Sequence, residues 1–203
     1  MAKEADVIGL YLNPPEKAVV LSVDEKPSIQ ALERRRGYVQ TNHGKVVQGL
    51  KSTYKRHGTV NLFAALEVAT GVIRGKTTQT KKRADFQAFM EEVVADEPAD
   101  REIHVILDNL NTHKKNDEWL AAHPNVTFHF TPTSASWLNQ VEIWFGIFQR
   151  KTLRNASFSS VDQLVEAIQN FTAAYNQNAA PFVWRKREVK GAQLRNTIVN
   201  LCN

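Results

Sequence analysis

The chain has 203 residues, 42% hydrophobic and 23% charged, with a formal net charge of +5 and an isoelectric point near 9.3. That length suits one domain with a sizeable core, and the mild basic excess agrees with a polyanionic partner. A single cysteine, Cys202, excludes a disulfide framework and a cysteine-based zinc site, and no stretch approaches the ~18 apolar residues of a membrane helix.

Residues 1–17 hold Asn13-Pro14-Pro15 and no run apolar enough for a signal peptide, so they read as an N-terminal tether. AVVLSVDE (18–25) is nearly continuous in apolar residues, as a strand buried on both faces requires. Residues 26–58 are polar and glycine-bearing, which predicts an irregular excursion with at most short strands. TVNLFAALEVATG (59–71) and VIRGKTT (72–78) predict an antiparallel hairpin. ADFQAFMEEVVAD (84–96) has helical spacing, EIHVILDN (102–109) is a second buried strand, and KKNDEWLAAH (114–123) is a short helix stopped by Pro124. VTFHFT (126–131) alternates as a strand, SASWLNQVEIWFGIFQRK (134–151) is a mostly apolar helix, and VDQLVEAIQNFTAAYNQN (161–178) is an amphipathic helix with Ser159 or Ser160 as N-cap. The order predicts an α/β fold, a mixed sheet flanked by helices on both faces.

Asp24 and Asp108 each close an apolar strand, at the sheet edge where open α/β folds bind ligands. Glu142 interrupts the apolar helix. Counting three and four residues from it reaches Asn139, Gly146, Gln149 and Arg150, a narrow polar face. Glu142 is then either a solvent-face residue or the third acid of a cluster. Three clustered carboxylates repel one another, and hard divalent cations such as Mg²⁺ or Mn²⁺ relieve that repulsion. Two ions ~3.5–4 Å apart would suit phosphoryl transfer. Glu25 neighbours Asp24 but points to the opposite face of a strand, which favours Asp24 as the ligand.

The histidines show no tight metal-ligand spacing. His104 and His129 read as structural, and His113 either packs the following helix or touches DNA. Positive charge gathers in KSTYKRHG (51–58), KTTQTKKR (76–83), QRKTLR (149–154) and WRKREVK (184–190). Lys51, Lys55 and Arg56 are phosphate contacts or a basic solvent loop, and Arg150 and Lys151 are further candidate DNA contacts. Trp144, Phe145 and Phe148 read as core, while Trp137 at the loop-to-helix junction suits either core or DNA. No GxxxxGK loop occurs, which excludes ATP dependence.

Four ordered motifs, VVLSVDEKPSIQALER, YKRHGTVNLFAALEVATG, VILDNLNTHK and TPTSASWLNQVEIWFGIFQRK, together resemble bacterial insertion-sequence transposases of the Tc/mariner superfamily (the IS-six-thirty branch). The likeness runs from about residue 10 to 191. It implies a ribonuclease-H-like fold over 18–203, with Asp24, Asp108 and Glu142 as the catalytic, metal-binding triad. The last two are 34 positions apart, the short spacing of this superfamily. Asn109, His113, Asn139, Trp137 and Gln140 also match family motifs, with supporting roles at most. The resemblance implies two-metal-ion cleavage of transposon ends and strand transfer into target DNA at TA, by a homodimer in the bacterial cytoplasm, associated with the nucleoid. Family members carry an N-terminal helix-turn-helix region, expected to be absent here because 23 residues precede Asp24. Two rival readings are a structure-selective nuclease on the same fold and a truncated, non-catalytic DNA-binding or oligomerisation module.

Overall fold

The strand β4 (Glu102–Leu107) buries Ile103, Val105, Ile106 and Leu107, so both its faces must be covered. A computed structural model of the chain, which describes residues 2–183 apart from 41, 99 and 134, shows how. β4 lies parallel to β1 (Ala18–Gln40) on one side and to β5 (Val126–Phe130) on the other. β1 pairs antiparallel with β2 (Val46–Glu67), and β2 with β3 (Ile73–Thr78), giving one five-stranded sheet in the order β3-β2-β1-β4-β5. The basic stretch 184–190 lies outside the described residues.

Period-two alternation along the strands divides the core into two layers. Val19, Leu21, Val23, Phe63 and Ala65 face Phe86, Phe89, Met90 and Val93 of α2 (Arg83–Ala95) and Trp119 of α3 (Asp117–Ala122). Leu62, Ala64 and Leu66 face α4 (Val141–Phe148) and α5 (Val161–Asn176), whose Trp144, Phe145, Phe148, Leu164 and Ile168 fill that side. The rings of Trp144 and Phe148 stack 5.6 Å apart at 8°. Ser160 caps α5, its hydroxyl accepting from the Gln163 N–H at 3.1 Å. The mixed sheet with helices on both faces is therefore the fold expected from the element order. Among the described residues, no helix is long and apolar enough to cross a membrane.

Three local expectations are corrected. Residues 2–12 are no tether: they form α1 (Ala2–Leu12), which buries Val7 and Leu10 against Val20, Ile106 and Leu138. The prolines end the helix rather than mark a loose segment, and the apolar pair at i and i+3 was too small a signal to read as an amphipathic face. Residues 26–58 are not irregular either. β1 and β2 continue past the sheet as a two-stranded ribbon, with pairs such as Arg36↔Leu50, Tyr38↔Gln48 and Gln40↔Val46. Both faces of that ribbon meet solvent, so its sequence lacks the apolar alternation that betrays a strand. Finally, 134–151 is not one helix. A 3₁₀ turn (Ser136–Leu138), α4 and a π-helical turn (Gln149–Leu153) follow one another.

Candidate active site

The site lies where the parallel part of the sheet opens. Pairing between β1 and β4 stops at Ser22↔Ile106, and two residues further on each chain segment stand Asp24 and Asp108. Asp24 does not close β1, which runs on to Gln40; it is β4 that ends. The two acids still share the carboxyl-terminal edge of neighbouring parallel strands.

Asp24 is 5% exposed. Its Oδ1 accepts the Glu25 N–H at 2.8 Å, and its Oδ2 accepts from Asn139 Nδ2 at 3.2 Å. Asn139, wholly buried, also donates to the Val23 carbonyl at 2.9 Å and accepts from the Ser22 hydroxyl. Ser22 Oγ in turn accepts the Val141 N–H at 2.9 Å, at the first turn of α4. Ser22 and Asn139 therefore lock α4 onto β1 at the height of Asp24. Burial first, then the charges of Asp108 and Glu142, push the Asp24 carboxyl up to about 7, against the smaller opposing pull of the Glu25 N–H and His113.

His113, wholly buried, bridges Asp108 and Glu25. Its Nδ1–H donates to Asp108 Oδ1 at 2.7 Å, and its Nε2 lies 3.0 Å from Glu25 Oε2, an ion-pair contact off the line of a hydrogen bond. Burial opposes charge on the imidazole, but the bond with Asp108 and the pairing with Glu25 outweigh it and raise His113 to about 9. Partial burial likewise opposes ionisation of Asp108. His113, the Leu110 N–H and the charge of Lys114 outweigh it and hold that carboxyl below its usual range. Both bonds to Asp108 fall on Oδ1, the Leu110 N–H at 2.9 Å being the second. Lys81 Nζ lies 3.6 Å from Glu25 Oε1.

Glu142 projects from the first turn of α4 and is exposed. Its charge reaches Asp24. The polar face expected along the helix is thus split: Asn139 precedes α4 and turns inward, while Glu142 turns outward. A Cβ on Gly146 would meet only the Arg150 guanidinium, at 3.4 Å, an ordinary contact with a flexible side chain, so the glycine is not required there. Asn109 points away from the acids, its amide donating to the Thr131 carbonyl and tying the end of β4 to β5. Trp137 is 64% exposed, which removes it from the core, and Arg150 and Lys151 are exposed on the π-helical turn. Lys55 and Arg56 are exposed at the root of the ribbon, paired with Glu33 and Leu32; Lys51 shares that strand, its side chain outside the described residues.

Ligand atoms of Asp24, Glu25 and His113 lie within 4.8 Å of one another, so the tightest grouping differs from the expected triad. Glu25 is the residue that the strand-face argument set aside. It does face away from Asp24, on the α2 side of the sheet, but it reaches the site through His113. Ser22 was also missed; its signal is a lone hydroxyl in the apolar run AVVLSV.

Over residues 19–165 the sequence matches the family described as the DDE superfamily endonuclease. The chain belongs to that family. The DDE endonuclease domain is similar in fold to the Mos1 strand transfer complex, at 14% identity and TM-score 0.60 over 85% of this chain and 52% of that one. It is similar also to the mariner Mos1 paired end complex with Mg, at 13% identity and TM-score 0.63 over 88% and 55% of the two chains. It spans about half the length of those two chains. No curated protein matches it significantly. The ribonuclease-H-like fold expected from the four motifs is thereby established, and the family is one of endonucleases, in keeping with the DNA cleavage those motifs imply.

Proposed function

We propose that this DDE endonuclease domain is the catalytic core of a transposase, which cuts DNA at a transposon end and joins the freed 3′-hydroxyl to target DNA. The observation that carries the reading is the placement of Asp24 and Asp108 two residues beyond the last pair of the neighbouring parallel strands β1 and β4, near enough to Glu142 that the charges oppose ionisation of the buried Asp24. Mutually opposed carboxylates at a strand edge form a donor set of hard oxygens, which fits Mg²⁺ or Mn²⁺. Asp24, Asp108 and Glu142 would hold two such ions, which when bound acidify the attacking hydroxyl and neutralise charge at the scissile phosphate.

The chain's own residues prepare this. Asn139 fixes the Asp24 carboxylate, and His113 with the Leu110 N–H engages Asp108 at Oδ1, which would leave Oδ2 to hold a cation. His113, protonated and contacted at both nitrogens, balances Glu25 and Asp108 and is no ligand itself. Trp137, Arg150 and Lys151 would meet DNA beside the site, and Lys51, Lys55 and Arg56 would meet phosphates on the ribbon. In the first step a water oxygen bonds to phosphorus and the 3′ oxygen leaves with a proton. In the second, that 3′ oxygen bonds to a target phosphorus and displaces the target's own 3′ oxygen. The number of phosphodiesters is conserved in joining, in keeping with a sequence that has no ATP loop. The target would be TA, and two copies of the chain would hold the two ends.

The test is Mn²⁺-dependent nicking and joining of end-containing oligonucleotides, with Asp108→Ala beside the parent. Activity is expected to fall to background in the variant; equal activity in both sinks the reading. Cleavage of RNA–DNA hybrids or junctions without joining would mark a structure-selective nuclease. DNA binding that survives loss of all three acids, with no cleavage by the parent, would mark a non-catalytic module.

A further inference from the structure

α4 begins without a cap of its own: Gln140, at its N-cap, makes no side-chain bond to the helix. The amides at its start are met instead from two distant elements. The Gln140 N–H donates to the Tyr11 hydroxyl at 3.2 Å and the Val141 N–H to Ser22 Oγ at 2.9 Å. Tyr11 stands in the last turn of α1, beside the buried Leu10 and 129 residues before Gln140. Its hydroxyl is also hydrogen-bonded to Ser22.

Donor and acceptor capacity fixes the direction of the bonds that follow. A hydroxyl has one proton to give and two lone pairs to receive. Ser22 gives its proton to Asn139 Oδ1, so the bond between the two hydroxyls runs from Tyr11 to Ser22. Ser22 Oγ then receives both the Tyr11 O–H and the Val141 N–H, and has no lone pair left. Asn139 must therefore turn its oxygen to Ser22. Its nitrogen faces the other way, giving one proton to the Val23 carbonyl at 2.9 Å and one to Asp24 Oδ2 at 3.2 Å. A reversed amide would set its oxygen against that carbonyl and that carboxylate, acceptor facing acceptor in a buried place. If the Tyr11 proton is removed, Ser22 regains a lone pair that can receive an amide N–H, and the reversal loses its obstacle. Burial pushes the Tyr11 phenol up to about 12, against the smaller opposing pull of the Gln140 N–H and Ser22, so the proton stays in place across the neutral range.

We propose that Tyr11, which lies on α1 and outside the site, is a positioning residue for Asp24: through Ser22 it holds the Asn139 amide in the one orientation that presents N–H to that carboxylate. The chain of bonds runs Tyr11 to Ser22 to Asn139 to Asp24, each group donating to the next. The inference rests on the transposase reading only for the reaction that a fixed Asp24 serves.

The first measurement needs neither metal nor DNA. In the isotopically labelled whole chain, the two bonded Asn139 Nδ2 protons should give separate nuclear magnetic resonance signals, assigned by their loss in Asn139→Ala. In Tyr11→Phe, which keeps the ring and its packing, those signals should shift and broaden. The second is Mn²⁺-dependent nicking. Tyr11→Phe should lower kcat about tenfold, the lower end for an outer partner of a metal ligand, with KM for DNA unchanged. Ser22→Ala should lower it at least as far, and the double variant should lose little more than Ser22→Ala alone, as residues in one chain of bonds do. Leu10→Ala loosens α1 without touching the chain of bonds, so it should leave kcat and the Asn139 signals unchanged in the temperature range where it is folded. Unmoved Asn139 signals in Tyr11→Phe, a double variant showing the full product of the two single losses, or an equal fall of kcat in Leu10→Ala would each overturn the proposal. Signals that move in a chain whose parent does not nick would defeat the catalytic reading and leave the positioning of Asn139 standing. Nicking by the parent with signals unmoved in Tyr11→Phe would defeat the positioning alone.

Discussion

Asp24 and His113 are displaced in the same direction, and the consequence is a stability that falls as pH rises. Asp24 goes from an ordinary 3.8 to about 7 and His113 from 6.5 to about 9. Each folded value lies above the unfolded one, so the folded chain binds more protons. The destabilisation from Asp24 builds between about pH 4 and 7, and the stabilisation from His113 is lost between about pH 6.5 and 9. In chelator, the Asp24→Asn variant should melt with the parent near pH 4 and above it beyond pH 7; identical profiles would contradict the burial of this acid. His113 links Glu25 to Asp108, so the effect of either residue on nicking would run through that carboxylate. Partners of this kind typically cost 10–100-fold when removed. Glu25→Gln and His113→Ala should lower kcat for nicking by that order with little change in KM for DNA. His113→Asn, which keeps a donor for Asp108, should retain more activity than His113→Ala.

At the level of elements, α4 is short and is held from both sides. Trp144, Phe145 and Phe148 bind it to the sheet and to α5, while Ser22 and Asn139 fix its first turn against β1. The core contacts supply the energy and the two hydrogen-bonded residues supply the register. Trp144→Ala should destabilise the chain by about 3–5 kcal/mol in denaturant unfolding. Asn139→Ala removes one buried polar partner from each of several groups and should cost about 1–3 kcal/mol, with a loss of nicking larger than that stability change explains. The hairpin between β2 and β3 turns at Gly71, whose φ of +75° and 2.2 Å approach of a Cβ to the Ala180 carbonyl oxygen admit no other residue.

In the whole molecule, α1 is the element that joins the amino-terminal segment to the site. Leu10 and Val7 are buried under it, Asp6 accepts from His129 at 2.8 Å, and the Tyr11 hydroxyl accepts the Gln140 N–H at 3.2 Å, one residue before α4. Leu10→Ala should lower stability by about 2–3 kcal/mol, and Tyr11→Phe by about 1 kcal/mol, both read from chemical denaturation; no change in either would restore the picture of a loose tether.

The amino-acid sequence by itself determined the core strands and the two helical layers, because burial on one or both faces writes a period of two or 3.6 into the apolar residues. AVVLSVDE, EIHVILDN and ADFQAFMEEVVAD are each legible in that way. The ribbon was illegible because two solvent faces leave no period to read, and α1 because its buried surface is only a pair of residues. Tertiary structure alone decided that Glu25 reaches Asp108 through His113, that Asn139 turns in while Glu142 turns out, and that β1 and β2 run on past the sheet as a ribbon. Those facts depend on which strand ends beside which and on where a helix breaks. Such distances are set by packing between elements far apart in the chain, and no local pattern of residues carries them.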